Sequence, residues 1–163
     1  MNIDLAELKK QAQAKRADNQ KFFERIKKQR PSEFDQTVHK LHDAAFKKID
    51  CLSCANCCKT TGPLFTQRDI KVLSKHLKIT PQQFIGKYLR VDEDNDYVLQ
   101  QVPCVFLGSD NYCAVYDYRP QACREYPHTN QSKIHTIFKE TLNNTAVCPA
   151  VFQIVERLKS MYK

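Results

Sequence analysis

Four of the eight cysteines in this 163-residue chain fall within eight consecutive positions, in the order Cys51-x-x-Cys54-x-x-Cys57-Cys58. A hydrophobic core gains nothing from such packing, because any small apolar residue fills the space without a thiol's oxidation hazard. Thiolates are soft ligands that take zinc and iron–sulfur clusters alike, so the run predicts a metal site. Two conformations of the run are workable. On one continuous α-helix the four side chains would share a face, at about −60°, −120° and −20° from Cys51. In a knuckle-like loop each C-x-x-C pair could grip an ion. An extended strand would turn Cys57 and Cys58 to opposite sides.

The remaining cysteines are scattered. Cys104 follows Pro103, Cys113 follows the turn "GSDN", Cys123 sits between Arg119 and Arg124, and Cys148 immediately precedes Pro149. Cys148 therefore takes the N-cap position of the expected last helix, where backbone N–H groups favour a thiolate. All eight thiols are candidate ligands and would complete two four-thiolate sites. Folding would gather them, so metal binding and folding are expected to be coupled. Among the histidines, His39 and His42 read as a solvated helix face and His76 and His135 as isolated. His128 is a reserve ligand beside Cys123.

Hydrophobic periodicity gives the elements. Leu5, Leu8, Ala12, Phe22, Phe23 and Ile26 follow a helical period, and Phe34, Val38, Leu41, Ala45, Phe46 and Ile49 form a second apolar stripe after Pro31. Thr66 caps a helix bearing Ile70, Leu73 and Leu77, and Thr80-Pro81 opens another. "DEDND" marks a turn, while "YVLQQVPCVFL" and "YCAVYDY" read as two strands around "GSDN". Pro120 opens a short helical turn, residues 127–146 have little pattern, and Pro149 opens the last helix. The expectation is a mainly α fold with a small β-hairpin. Residues 1–48 form an N-terminal helical hairpin, and residues 49–163 a metal-stabilised cysteine-cluster domain.

Charge and hydropathy narrow the function. The net charge is +8, from 26 Lys and Arg against 18 Asp and Glu. Eight thiolates holding two zinc ions would lower it by four, to +4. Opposite charges interleave through residues 1–48, and only Lys59 is basic within residues 51–62. A nucleic-acid partner is therefore disfavoured. No apolar run is long enough to span a bilayer, and the charged start has no signal segment. These features predict a cytoplasmic protein, where thiols serve metals rather than disulfides.

The segments "CLSCANCC" and "PCVFLGSDNYCAVYDYRPQACREYP" resemble the YkgJ-type CxxCxxCC family, described as a zinc- or iron-chelating domain. The similarity runs over about residues 51–150 and includes "T-x-x-D-I" and "ITPQQFIGKYL". It implies metal-ligand roles for Cys51, Cys54, Cys57, Cys58, Cys104, Cys113 and Cys123, with Cys148 in "CPAV" also fitting. It further implies that Arg119 and Tyr116, in "YDYRP", support the site. Ala55 stands where the family often has Gly, which either disfavours a left-handed backbone there or shows that the family does not need one. The function expected is metal binding by clustered thiolates, with zinc first and a [4Fe–4S] cluster as the alternative. No catalytic residue stands out, so an enzyme is disfavoured. A protein partner could use the N-terminal helices.

Overall fold

The computed structural model describes residues 4–163. In chain order the elements are α1 (Leu5–Ala14), α2 (Arg16–Gln29), α3 (Phe34–Phe46), α4 (Cys51–Cys54), α5 (Asn56–Thr60), β1 (Leu64–Phe65), α6 (Gln67–His76) and α7 (Pro81–Tyr88). There follow β2 (Leu89–Val91), β3 (Tyr97–Leu99), α8 (Gln121–Glu125), α9 (Phe138–Asn144) and α10 (Pro149–Met161). Single 3₁₀ turns occupy Tyr116–Tyr118 and Ile134–Ile137. The fold is mainly helical with a small three-stranded sheet. Two compact units result. Unit 1 joins Met1–Cys54 to Pro127–Lys163, and unit 2 is Ala55–Tyr126. The sequence division at residue 48 follows the cysteine motif, whereas compaction returns α10 to the N-terminal helices.

In unit 1, α10 is the central element and packs on α1, α2, α3 and α9. Its Ala150, Val151, Ile154, Val155 and Leu158 are all buried, at about 1.5–3 kcal/mol for each of the larger side chains. Phe22, Phe23 and Ile26 of α2 and Phe34 and Val38 of α3 are also buried. Phe23 stacks on Phe138 at 4.6 Å. The Asp4 carboxylate caps α1 by accepting from the N–H groups of Ala6 and Glu7. Ion pairs join Lys15 to Glu156 and Lys159 to Asp18 and Glu156.

The segment that lacked a pattern contains the 3₁₀ turn Ile134–Ile137 and α9, which together bury Ile134, Phe138 and Leu142 at four-residue spacing. Short polar interruptions hide that period in the sequence. Asp35 fixes the turn before α9, accepting from the N–H groups of Lys133 (2.6 Å) and Ile134 (3.2 Å).

His39 and His42 depart from the solvated face expected of them, for both are half-buried and hold the stretch before that turn. His39 Nε2 donates to the Gln131 carbonyl at 2.8 Å, and His42 Nδ1 shares a 2.7 Å hydrogen bond with Thr129 Oγ1. Burial, with nearby His39 adding to it, holds the His42 pKa below its usual 6.5, against the pull of Asp43. The fold thus prefers the neutral ring. Its contribution is complete above pH 6.5 and is lost as pH falls through the window below that value, where the unfolded chain binds the proton first. Unfolding free energy measured from pH 7.5 to 5 should therefore fall more steeply for the native chain than for His42→Gln. Coincident slopes would exclude the effect.

In unit 2, Phe65, Ile70, Leu73, Phe84, Leu89, Leu99, Phe106 and Val115 form the core, with Cys104 and Cys113 packed against it. Both α6 and α7 begin with capping boxes, at Thr66/Asp69 and Thr80/Gln83. The sheet is antiparallel in the order β1-β3-β2. Its hairpin turns at Asp92–Asp96, where Asp92 Oδ1 accepts from the N–H groups of Asp94 and Asp96 and Asn95 is left-handed. The strands expected on either side of "GSDN" contract to one pair, Leu107 with Cys113. Pro103 has no N–H for a ladder, and both edges of β3 are already taken by β1 and β2. The tight loop itself forms, with the Gly108 N–H donating to the Tyr112 carbonyl at 2.8 Å. A Cβ at Gly108 would lie 2.6 Å from Asp110 Oδ1.

Candidate metal centre

The cysteine run is not one helix. Ala55 takes φ 47° and ψ 16°, ending α4 and starting α5. A left-handed alanine costs roughly 1–2 kcal/mol, and Ala55 is buried. Ala55 thus takes the left-handed backbone that its residue type disfavours, and the single-face arrangement, which needs an unbroken helix, does not form. Asp50 shapes the short α4: its carboxylate accepts from the Leu52 N–H, and its carbonyl accepts from Ser53 Oγ.

Unit 2 gathers four of the candidate thiols. Cys58 lies on α5, and its carbonyl accepts from the Cys104 N–H at 2.7 Å. The Cys104 carbonyl accepts from the Leu107 N–H, and Leu107 in turn pairs with Cys113. Cys123, on α8, feels the charges of Cys58, Cys104 and Cys113. Burial, reinforced by those charges, pushes the Cys123 thiol up to about 12. Cys104 and Cys113 are raised for the same principal reason. Cys58 runs the other way: a hydrogen bond with the Cys57 side chain brings it down to about 7 against the effect of burial. Thiolates in such proximity repel one another, and a cation among them is what lets them ionise together.

Two neighbours support this group. Asp69 is buried and accepts three hydrogen bonds: Oδ2 takes those of the Thr66 N–H (2.9 Å) and Oγ1 (2.6 Å), and Oδ1 that of the Gln121 N–H (3.1 Å). The last bond anchors the first residue of α8, two positions before Cys123. Sequence showed only the local Thr66-x-x-Asp69 box, since nothing in it marks a partner 52 residues away. Arg119 stacks on the Tyr116 ring at 3.8 Å and donates from Nη1 to the Tyr116 carbonyl at 2.6 Å. Its cation offsets a small part of the rise at both Cys113 and Cys123. An Arg119→Gln variant should release metal about three- to tenfold more readily in competition with a chromophoric chelator, as expected for about 1 kcal/mol in a half-exposed pair. Arg119→Lys should recover part of the loss.

In unit 1, Cys148 caps α10 and is buried, and it feels the charges of Cys51 and Cys54. Burial pushes its thiol up to about 11. The N–H groups of Val151 and Ala150 offset only part of that rise, so the helix start does not deliver the thiolate expected from its position. Cys57 hydrogen-bonds with Cys58 in unit 2. His128 lies in unit 1 at a left-handed position, and His76 stacks on Tyr118 in unit 2. Among the described residues, no three His, Cys, Asp or Glu side chains already stand at gripping distance of a common ion. What fits a metal is the donor chemistry: five thiols in unit 2, four of them Cys58, Cys104, Cys113 and Cys123, with no oxygen or nitrogen ligand required.

Such a fold and thiol set define a cysteine-rich metal-binding protein, and no disulfide consumes any of the eight cysteines. The chain belongs to the CxxCxxCC family, described as a "Putative zinc- or iron-chelating domain", which it matches over residues 50–149. No curated protein and no solved structure matches it. Among the described residues, no helix is long and apolar enough to cross a membrane.

Proposed function

We propose that the protein holds zinc through cysteine thiolates, with Cys58, Cys104, Cys113 and Cys123 as one four-thiolate site, and serves as a structural or metal-handling module. The observation that carries this reading is the gathering of those four thiols within unit 2, bound together through the Cys58–Cys104 backbone hydrogen bond and the Leu107–Cys113 pair. A closed all-thiolate set suits structural zinc, whose binding energy also stabilises the fold. Cys51, Cys54 and Cys148 form a second group, within unit 1. The eight thiols of the chain equal the number of donors that two zinc ions would use. The same donors serve the competing reading, a [4Fe–4S] cluster, because its ligands are also four thiolates.

Anaerobic purification, followed by elemental analysis and visible absorption on one sample, separates the two. Two equivalents of zinc without colour or sulfide are expected. A brown protein with stoichiometric iron and acid-labile sulfide would replace zinc by the cluster. Cys148→Ser tests the second group, and unchanged metal content in that variant would remove Cys148 from the ligands.

A further inference from the structure

Unit 1 holds 17 of the 26 Lys and Arg and 10 of the 18 Asp and Glu, a net of +7, which leaves +1 for unit 2. Part of that excess lines a surface concavity of about 540 Å³, formed by Asp18, Lys21, Phe22 and Arg25 of α2 together with Lys159 and Lys163. The α2 residues share one helix face, with Lys21 and Arg25 one turn apart. Of the four cations, Lys159 is already paired, with Asp18 at 2.7 Å and Glu156 at 2.8 Å. Arg25 lies over the Phe22 ring and donates to the Tyr162 carbonyl, which leaves its charge uncompensated. Among the described residues, neither Lys21 nor Lys163 forms an ion pair.

The chemistry of the walls selects the occupant. Phosphate sites lean on backbone N–H groups at helix starts or in nests, whereas four of the six residues lining this concavity bring side-chain cations. Stacking of nucleic-acid bases needs exposed rings, but Phe22 is only 4% exposed. A second copy would present the same net-positive surface and be repelled. Carboxylates spaced along a peptide match cations set a turn apart, and the stems of Lys21 and Arg25 offer apolar contact beside them. We infer that this concavity of unit 1 docks an acidic segment of a partner protein. The inference is independent of which metal the thiols hold.

The test uses the full, metal-loaded chain and a fluorescein-labelled decaglutamate peptide, followed by anisotropy at low and physiological salt. Lys21→Glu/Lys163→Glu should weaken binding about tenfold or more. Lys9→Glu/Lys10→Glu, an equal change in net charge on α1, should weaken it less than about threefold. Equal losses in the two variants, or no binding by the native chain, would overturn the inference. So would tighter binding of a ten-nucleotide single-stranded DNA or of pyrophosphate at the same site. Lys21→Gln/Lys163→Gln, with unchanged circular dichroism, guards against misfolding and should give an intermediate loss.

Discussion

Cys123→Ser should lower the metal content by one equivalent and open residues 55–126 to protease, and a strong chelator should do the same to the native chain. Unit 2 spans residues 55–126 and buries eight apolar side chains in its core cluster. A core of this scale rarely supplies more than about 3–5 kcal/mol. Loss of a ligand should weaken a thiolate site more than about 100-fold, since even outer partners are worth 10- to 100-fold. That is more than roughly 2.7 kcal/mol, most of the margin. Metal analysis and limited proteolysis give separate readouts. Full metal content in the variant would remove Cys123 from the site. Lost metal with residues 55–126 still protected would show that the apolar core suffices without the ion.

The second large effect is expected from a residue that touches no metal. Asp69→Ala strips the acceptor from three donors, those of Thr66 N–H, Thr66 Oγ1 and Gln121 N–H. Orphaned donors at this buried position should cost about 2–4 kcal/mol in thermal or denaturant unfolding. Because α8 is then unanchored, metal retention should fall as well. Thr66→Ala isolates the local part: it breaks the capping box, leaves the Asp69–Gln121 bond, and should cost about 1 kcal/mol. Equal losses from the two substitutions would show that the long-range bond contributes nothing.

How much could be read in advance differs between the elements and the site. Helices with clear caps and stripes, such as those opened by Thr66, Thr80 and Pro149, were legible because each signal is local. The partner of α3 was not, since α10 returns from about a hundred residues away and periodicity names no partner. The strands around "GSDN" were overread because alternation of residue types does not say which edge of β3 is open. Within the site, the eight cysteines were visible as a set, but their grouping was not. That grouping rests on a backbone angle at Ala55, where the residue type argued against the conformation adopted. At Cys148 the helix-start effect could be named, but the depth of burial that outweighs it emerges only from tertiary packing.

The interleaving of the two units has a consequence for synthesis on the ribosome. Every residue of unit 2, including all four of its gathered thiols, has been made by Tyr126. Unit 1 must wait for α10, its central helix, which ends at Met161. With Cys58, Cys104, Cys113 and Cys123 as the proposed ligands, the middle of the chain can bind metal and fold while α1, α2 and α3 still lack the element that buries their apolar faces. In this protein α1, α2 and α3 are made before unit 2 but find their partner after it.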